Sequence, residues 1–367
     1  MTLQELEQYL QAISPADEAA MSAARRRQAE LAKPPGSLGR LEDMAIRMAG
    51  ITRQVCPKIE KCRVAVFAAD NGVVAQGVSC APQSVTLRQA VNMTRRKTGM
   101  SVLAQTFGDD VAVYDVGIAG DVRCSAVIDR KVRYGTADIT QAPAMTLTET
   151  LQAMAVGMEA AAQARADGIS VLGIGEMGIG NTTTSAAVLS VLLDVPVEVV
   201  TGRGGGLTDD GFIRKKQVLR QVLQLHHPDR HNIPAVLSAV GGLDLAAMTG
   251  AFLGCAHEGI AAAVDGYISV VAALCAVELC PAVKDYLFLS HQSYEPGYAK
   301  AAQALGLRPC LALDMRLGEG SGCPLLFRIL QGACGVMANM ATFAEAAIED
   351  DYLVPIRSGD SFTVEGV

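Results

Sequence analysis

The chain has 367 residues, half of them apolar and 19% charged, with few aromatics, no Trp and a formal net charge of -7. That length suits one large α/β domain with a smaller part attached, and the apolar fraction excludes a disordered chain. The acidic balance and the lack of any long Lys/Arg run exclude a nucleic-acid binder that works by neutralising phosphates, so an anionic ligand must be held locally.

In chain order, Ser14-Pro15-Ala16-Asp17 predicts a capping box with Pro at the first helical position, opening a helix that runs to Ala32. The N-terminus carries no charged-then-apolar leader, which points to a cytoplasmic protein. Arg25 to Arg27 and Arg95 to Lys97 are short clusters expected on solvated helix faces. Short apolar runs at 64–69, 111–114, 170–174, 197–200, 260–264, 286–289 and 310–313 read as strands. Ala-rich helical patterns, among them 153–166 and 185–193, lie between most of them. This alternation predicts a mostly parallel, doubly wound α/β sheet covered on both faces. The most apolar region, 237–283, is broken by Asp244, His257, Glu258, Asp265 and Glu278, so no uncharged stretch spans a bilayer and no membrane association is expected. None of the ten cysteines forms a CxxC pair and several lie in apolar runs, the pattern of buried reduced thiols rather than disulfides or a metal site.

The ends of the strands carry the informative regularity. Asp70, Asp115, Glu176, Asp265, His291 and Asp314 each follow an apolar run by a residue or two. Ligands of open parallel sheets bind outside the carboxyl ends of the strands, so these residues are candidates to converge on one crevice. The competing explanation is that loops after strands are simply wet.

Four segments add detail around the stretch GIGEMGIGNTTTS at 173–185. That stretch predicts a strand, a turn for close backbone approach and a helix start, where an α/β sheet places a phosphate. A phosphate cradle needs no acid, so Glu176 inside it asks for a chemical role. KPPGSLGRL at 33–41 breaks one helix from the next, and the loop that begins with Asp70-Asn71-Gly72-Val73 leads through Gly77, Ser79 and Pro82 to a helix containing Gln89. TGRGGGL at 201–207, followed by Asp209, Asp210 and Lys215, is either a mobile loop or a further set of backbone donors. MRLGEGSG at 315–322 offers Arg316 and a glycine-flanked carboxylate, Glu319, whose desolvation can be controlled as a general base requires.

Six stretches in one order resemble the nicotinate-nucleotide:dimethylbenzimidazole phosphoribosyltransferase family: KPPGSLGRLE at 33–42, ADNGV at 69–73, GIGEMGIGNTT at 173–183, SAVGGLDLAAMTG at 238–250, SH at 290–291 and MRLGEGSG at 315–322. The resemblance runs from residue 5 to residue 349. It implies transfer of 5-phosphoribosyl from nicotinate mononucleotide to a benzimidazole nitrogen with inversion, giving an α-ribazole phosphate and nicotinate for the nucleotide loop of cobamides. By position, Glu319 matches the general base, Glu176 a second active-site carboxylate and Lys215 an active-site lysine. Nucleotide and phosphate binding fall to Gly175, Gly178, Gly180, Asn181, Thr182, Thr183, Gly202, Gly204, Ser290, His291, Arg316, Gly318 and Gly320. The acceptor base falls to Gln89, Ala81, Leu317 and Asp70.

Nicotinate leaves as a neutral ring nitrogen, so no cofactor and no metal are expected. The resemblance further implies a Rossmann-like fold with a small helical domain, in which an N-terminal segment, 1–60, is joined by a C-terminal helix and tail, 336–367, around a catalytic domain at 61–335. A homodimer is implied, with helices around Met248 and Met337 offered as its apolar interface, and 355–367 is expected to be flexible. Some family members carry a serine where this chain has Ala81, and RGGGLTDD at 203–210 is unusually rich in glycine and acid. The acceptor therefore stays open among benzimidazoles, adenine-like bases and phenols. The alternatives are an N-ribosyl hydrolase acting on the same nucleotide and a non-catalytic nucleotide sensor or accessory subunit.

Overall fold

The computed structural model describes residues 1–353, and the tail expected at 355–367 lies outside them. Its elements, in order, are α1 (Leu3–Gln11), α2 (Glu18–Glu30), α3 (Arg40–Thr52), β1 (Cys62–Ala69), α4 (Ser84–Thr94), α5 (Gly99–Phe107), β2 (Asp110–Gly117), β3 (Val127–Asp129) and α6 (Leu147–Ala166). Then follow β4 (Val171–Met177), α7 (Asn181–Leu193), α8 (Val197–Val200), α9 (Asp209–His226), α10 (Ile233–Val240), α11 (Leu243–Glu258), β5 (Ala261–Val264), α12 (Tyr267–Leu279), β6 (Leu287–Leu289), α13 (Pro296–Leu305) and α14 (Cys323–Asn339). The chain divides into two compact units: Met1–Ser14 with Lys61–Leu326, and Pro15–Glu60 with the described residues from Phe327 onward.

The first unit is built on a six-stranded sheet in the order β3-β2-β1-β4-β5-β6, parallel at every pairing. This is the doubly wound arrangement, and the strand order reverses between β1 and β4, where such sheets open a crevice for ligands. The central strands are buried on both faces, which is why their sequence reads as continuous apolar runs rather than alternation. Helices α6 and α11 approach backbone to backbone, because a Cβ on Gly157 would come 2.5 Å from the Ala251 nitrogen. A Cβ on Gly250 would likewise meet the Met154 backbone. Tyr9 of α1 stacks on His257 with ring centroids 4.2 Å apart, tying the N-terminal helix to this unit.

In the second unit the segment after α2 pairs with a later stretch of chain. The Ala32 N–H donates to the Ala341 carbonyl at 2.9 Å, and Leu31 bridges Thr342. The 33–42 motif is a self-tied turn: Lys33 Nζ meets Glu42 Oε1 at 2.7 Å, and the same oxygen accepts the Leu38 N–H.

Several expectations change. Asp17, not Ser14, caps α2, accepting the Ala20 N–H at 2.8 Å, and the helix ends at Glu30. Residues 197–200 form one turn of helix rather than a strand: Pro196 caps the turn, and its neighbours are α7, α9 and α13, not a strand edge. At 310–313 only Leu311 bridges, to His291, because β6 is a three-residue edge strand with little ladder to extend. The three-residue β3 went unpredicted. Met248 and Met337 are fully buried within the chain, so neither belongs to an exposed dimer face. All ten cysteines are free thiols, six of them buried. Among the described residues no helix is long and apolar enough to cross a membrane.

Candidate active site

A cavity of about 260 Å³ lies at the carboxyl ends of β1, β4 and β5, at the point where the strand order reverses. Its floor is Glu176, the sixth residue of β4, only 8% exposed. Glu176 Oε1 accepts the Glu319 N–H at 3.2 Å, and Oε2 accepts from Asn181 Nδ2. Burial pushes the Glu176 carboxyl up to about 8; the nearby Asp244 and Asp265 carboxylates add to the rise, while the two hydrogen bonds oppose it.

Glu319 reaches the cavity on a loop with an unusual backbone. Gly318, Glu319 and Gly320 have φ of +80°, +64° and +85°, a left-handed run in which the central residue is not glycine. A non-glycine residue in that region is strained by roughly 1 kcal/mol, and such strain collects at functional sites. The surroundings hold it: Asp265 accepts the Gly320 N–H at 2.9 Å and the Gly322 N–H at 2.7 Å. Gly175 lets the loop lie against β4, since a Cβ there would stand 2.7 Å from the Glu319 carbonyl oxygen and the Gly320 nitrogen. From α4, Gln89 Nε2 donates to Glu319 Oε1 at 3.4 Å and is itself held by Asn92 at 3.1 Å. Burial raises the Glu319 carboxyl, while Thr98 and the Met100 N–H, at the start of α5, and Gln89 pull it down. A desolvated carboxylate of this kind is a stronger base than a free one.

The turn after β4 leads into α7, which starts at Asn181, two residues before the expected end of the turn. Within 178–183, the N–H groups of Ile179, Asn181 and Thr183 are committed to Thr86 Oγ1, Gly178 and Gly180. Thr182 faces the cavity, whereas Thr183 is fully buried and does not line it. Lys215 of α9 is also fully buried, and its Nζ donates to Thr182 Oγ1 at 2.7 Å, so its charge reaches the cavity through that hydroxyl. Burial pushes the lysine down to about 8, against the pull of Glu295. The glycine loop folds over the same place, since a Cβ on Gly204 would sit 2.9 Å from Thr182 Oγ1. Its Gly204 N–H donates to Glu295 Oε1 at 2.9 Å, and Gly202 packs bare against the same carboxylate.

Gly178, Gly180, Ala81, His291, Arg316, Leu317 and Gly318 also line the cavity. Gly175, Gly202, Gly320 and Ser290 stand behind it as supports; Ser290 Oγ donates to the Asp265 carbonyl at 3.1 Å and contacts His291 Nδ1. Asp70 is not brought to this cavity. It is 2% exposed, accepts the Ala119 N–H at 2.8 Å, and faces a separate hollow with Leu87 and Arg88, on the face of α4 away from Gln89. Of the other strand-end acids, Asp115 forms an ion pair with Lys131 at 2.8 Å and Asp314 is exposed, so neither joins the site. Four contributors went unpredicted: Asp244, Glu295, Thr86 and Asn92. Glu295 lies in a loop where nothing sequential marks a site, and Asp244 sits inside the 238–250 stretch, whose resemblance assigns it no role.

The cavity therefore joins two buried carboxylates on different elements to a bare glycine turn backed by a lysine. Comparison with known proteins gives the same direction. A family model described as phosphoribosyltransferase matches residues 13–348. The nicotinate-nucleotide-dimethylbenzimidazole phosphoribosyltransferase of Clostridium perfringens (strain 13 / Type A) is 45% identical over 359 residues, covering 98% of this chain and 99% of that one. The enzyme of the same name from Chloroflexus aggregans is 44% identical over 346 residues, covering 94% and 98%. A crystal structure of the nicotinate-nucleotide-dimethylbenzimidazole phosphoribosyltransferase from Thermus thermophilus superposes with a TM-score of 0.86 at 40% identity, covering 91% of this chain and 99% of that one. By sequence and by fold, the chain belongs to the nicotinate-nucleotide-dimethylbenzimidazole phosphoribosyltransferase family.

Proposed function

We propose that this enzyme, acting as a homodimer in the cytoplasm, transfers the 5-phosphoribosyl group of nicotinate mononucleotide to 5,6-dimethylbenzimidazole or a related base, giving α-ribazole 5'-phosphate and nicotinate. The observation that carries the reading is the meeting of Glu176 and Glu319 in one cavity, joined by the Glu319 N–H on Glu176 Oε1 at 3.2 Å. The bond from the sugar carbon to the pyridinium nitrogen breaks, and its electron pair stays on nicotinate, which leaves neutral at that nitrogen. The azole nitrogen bonds to the same carbon from the opposite face, and its other nitrogen loses its proton to Glu319. Glu176, beneath the cavity, faces the positive charge that develops on the sugar.

The phosphate is received by the Gly180 and Thr182 end of the turn, with the Thr182 hydroxyl relaying the charge of Lys215. This arrangement lets an acidic protein hold an anionic substrate without a basic surface. Leu317 and Ala81 offer an apolar wall for a flat base, and Gln89 keeps the Glu319 carboxyl in place.

The test is product analysis by chromatography and mass after incubation with nicotinate mononucleotide alone, or with dimethylbenzimidazole, adenine or phenol. A ribosylated acceptor phosphate is expected, in largest amount with dimethylbenzimidazole. Equal nicotinate release with no acceptor would replace this reading with a hydrolase.

A further inference from the structure

Asp244 is the second residue of α11, a helix in which every residue from Leu243 to Ala256 is buried. It has no exposure at all, and a carboxylate in such a place is costly to bury unless its oxygens are satisfied. They are. Oδ1 accepts the Leu245 N–H at 3.0 Å, at the positive end of the helix, and Oδ2 accepts from Asn181 Nδ2 at 3.0 Å. That same Asn181 nitrogen donates to Glu176 Oε2. One amide group, with two hydrogens, is thus shared between a carboxylate that touches the cavity and one that does not.

The backbone is shaped around this arrangement. A Cβ on Gly178 would stand 2.6 Å from Asp244 Oδ2, and one on Gly242 would collide with Oδ1. Two glycines stay bare on either side of the carboxylate, and one of them belongs to the turn that leads into α7.

We propose that Asp244 is a positioning residue for the reaction, acting through Asn181 to hold the Glu176 carboxyl at the floor of the cavity. The inference rests on the transferase reading above, in which Glu176 faces the sugar. Asn181, expected as a nucleotide contact, becomes chiefly the link between the two acids. The electrostatic consequence follows from what faces Glu176: Asn181 from α7, Asp244 from α11, Asp265 from the end of β5 and the Glu319 N–H from the 315–322 loop. Both charges acting on it are carboxylates, and Asp244 in turn feels Asp70. Burial keeps Glu176 proton-bound in the empty site, Asp244 adds to that, and the pyridinium ring of the otherwise anionic nucleotide brings the local positive charge that lets it ionise. Glu319 is governed chiefly by burial and by Thr98, Met100, Asp265 and Gln89, so removing Asp244 should act on the general base far less than on Glu176.

The experiment measures kcat, KM and the pH profile of transfer from nicotinate mononucleotide to dimethylbenzimidazole for wild type, Asp244→Asn, Asn181→Ala and the double variant, with melting temperatures alongside. Asp244→Asn is expected to lower kcat about 10- to 100-fold with a smaller change in KM. It should also move the acidic limb that belongs to Glu176 to lower pH, while the Glu319 limb stays put. Asn181→Ala removes a hydrogen bond to the Glu176 carboxylate and should move the same limb to higher pH, while in kcat the double variant should lose no more than the worse single one, because both act through one contact. An active wild type with an unchanged limb in Asp244→Asn, or a loss that follows melting temperature alone, would overturn the role of Asp244. A wild type that transfers nothing would overturn the transferase reading and this inference with it.

Discussion

Replacing Glu176 by Gln should exchange activity for stability, and the size of the exchange follows from burial. The folded carboxyl is pushed from the ordinary 4.5 up to about 8. Between those values the unfolded chain has shed its proton and the folded chain has not, so the unfolded state binds fewer protons and stability falls as pH rises. At pH 7 the gap is about 2.5 units, and at about 1.4 kcal/mol per unit the wild type is destabilised by on the order of 3 kcal/mol. Gln cannot ionise, but its single carbonyl oxygen meets two donors, Asn181 Nδ2 and the Glu319 N–H, and leaving one unmet costs about 1–2 kcal/mol. A net gain of about 1–2 kcal/mol remains at neutral pH, worth a few degrees of melting temperature in a chain of this length. At pH 5 the ionisation penalty has fallen to about 0.8 kcal/mol while the lost hydrogen bond persists at about 1–2 kcal/mol, so the variant should be the less stable protein there. Thermal melts by circular dichroism at several pH values should therefore cross between pH 5 and pH 8. Parallel curves, offset by a constant amount, would refute the idea that Glu176 is held protonated by burial.

Two further predictions concern the supports. Lys215→Met should raise the KM for nicotinate mononucleotide about 10- to 100-fold, the loss of a charge-assisted hydrogen bond, read by steady-state kinetics. The buried lysine is pushed down to about 8, so its penalty is present below that pH and relieved as pH rises through it; the Met variant should melt at or above wild type at pH 7 and lose that advantage in alkali. Gly175→Ala should push the Glu319 loop off β4, because the new Cβ stands 2.7 Å from two backbone atoms. A fall in kcat of about 10- to 100-fold with folding retained is expected, and a fully active variant would show that the loop does not need that contact.

Most of the sheet was legible in the sequence because its central strands are buried on both faces, and a continuous run such as Val64 to Ala69 has few other ways to fold. Strand ends were legible for a related reason: Glu176 and Asp265 stand where an apolar run stops. Val197 to Val200 misled because β-branched residues speak to local preference, while the strand they would need to pair with is decided by distant segments. Asp70 misled in a similar way. It ends β1, as expected, but the face of α4 it meets is set by the packing of that helix, which places Gln89 on one side and Leu87 with Arg88 on the other. Asp244 and Glu295 were invisible because their meaning comes from partners 63 and 91 residues away, Asn181 and Gly204. The left-handed φ of Glu319 could be suspected from its two glycine neighbours; the N-terminus of α5 beside its carboxyl could not.

The most direct test of the central claim is turnover and nucleotide binding by Glu319→Gln, measured together. Gln preserves size and the contact to Gln89 but cannot take the azole proton. Nicotinate mononucleotide should bind with near wild-type affinity by calorimetry, while the yield of ribosylated dimethylbenzimidazole falls by about two to four orders of magnitude. Undiminished transfer by that variant would remove Glu319 from the chemistry and contradict the account of the site.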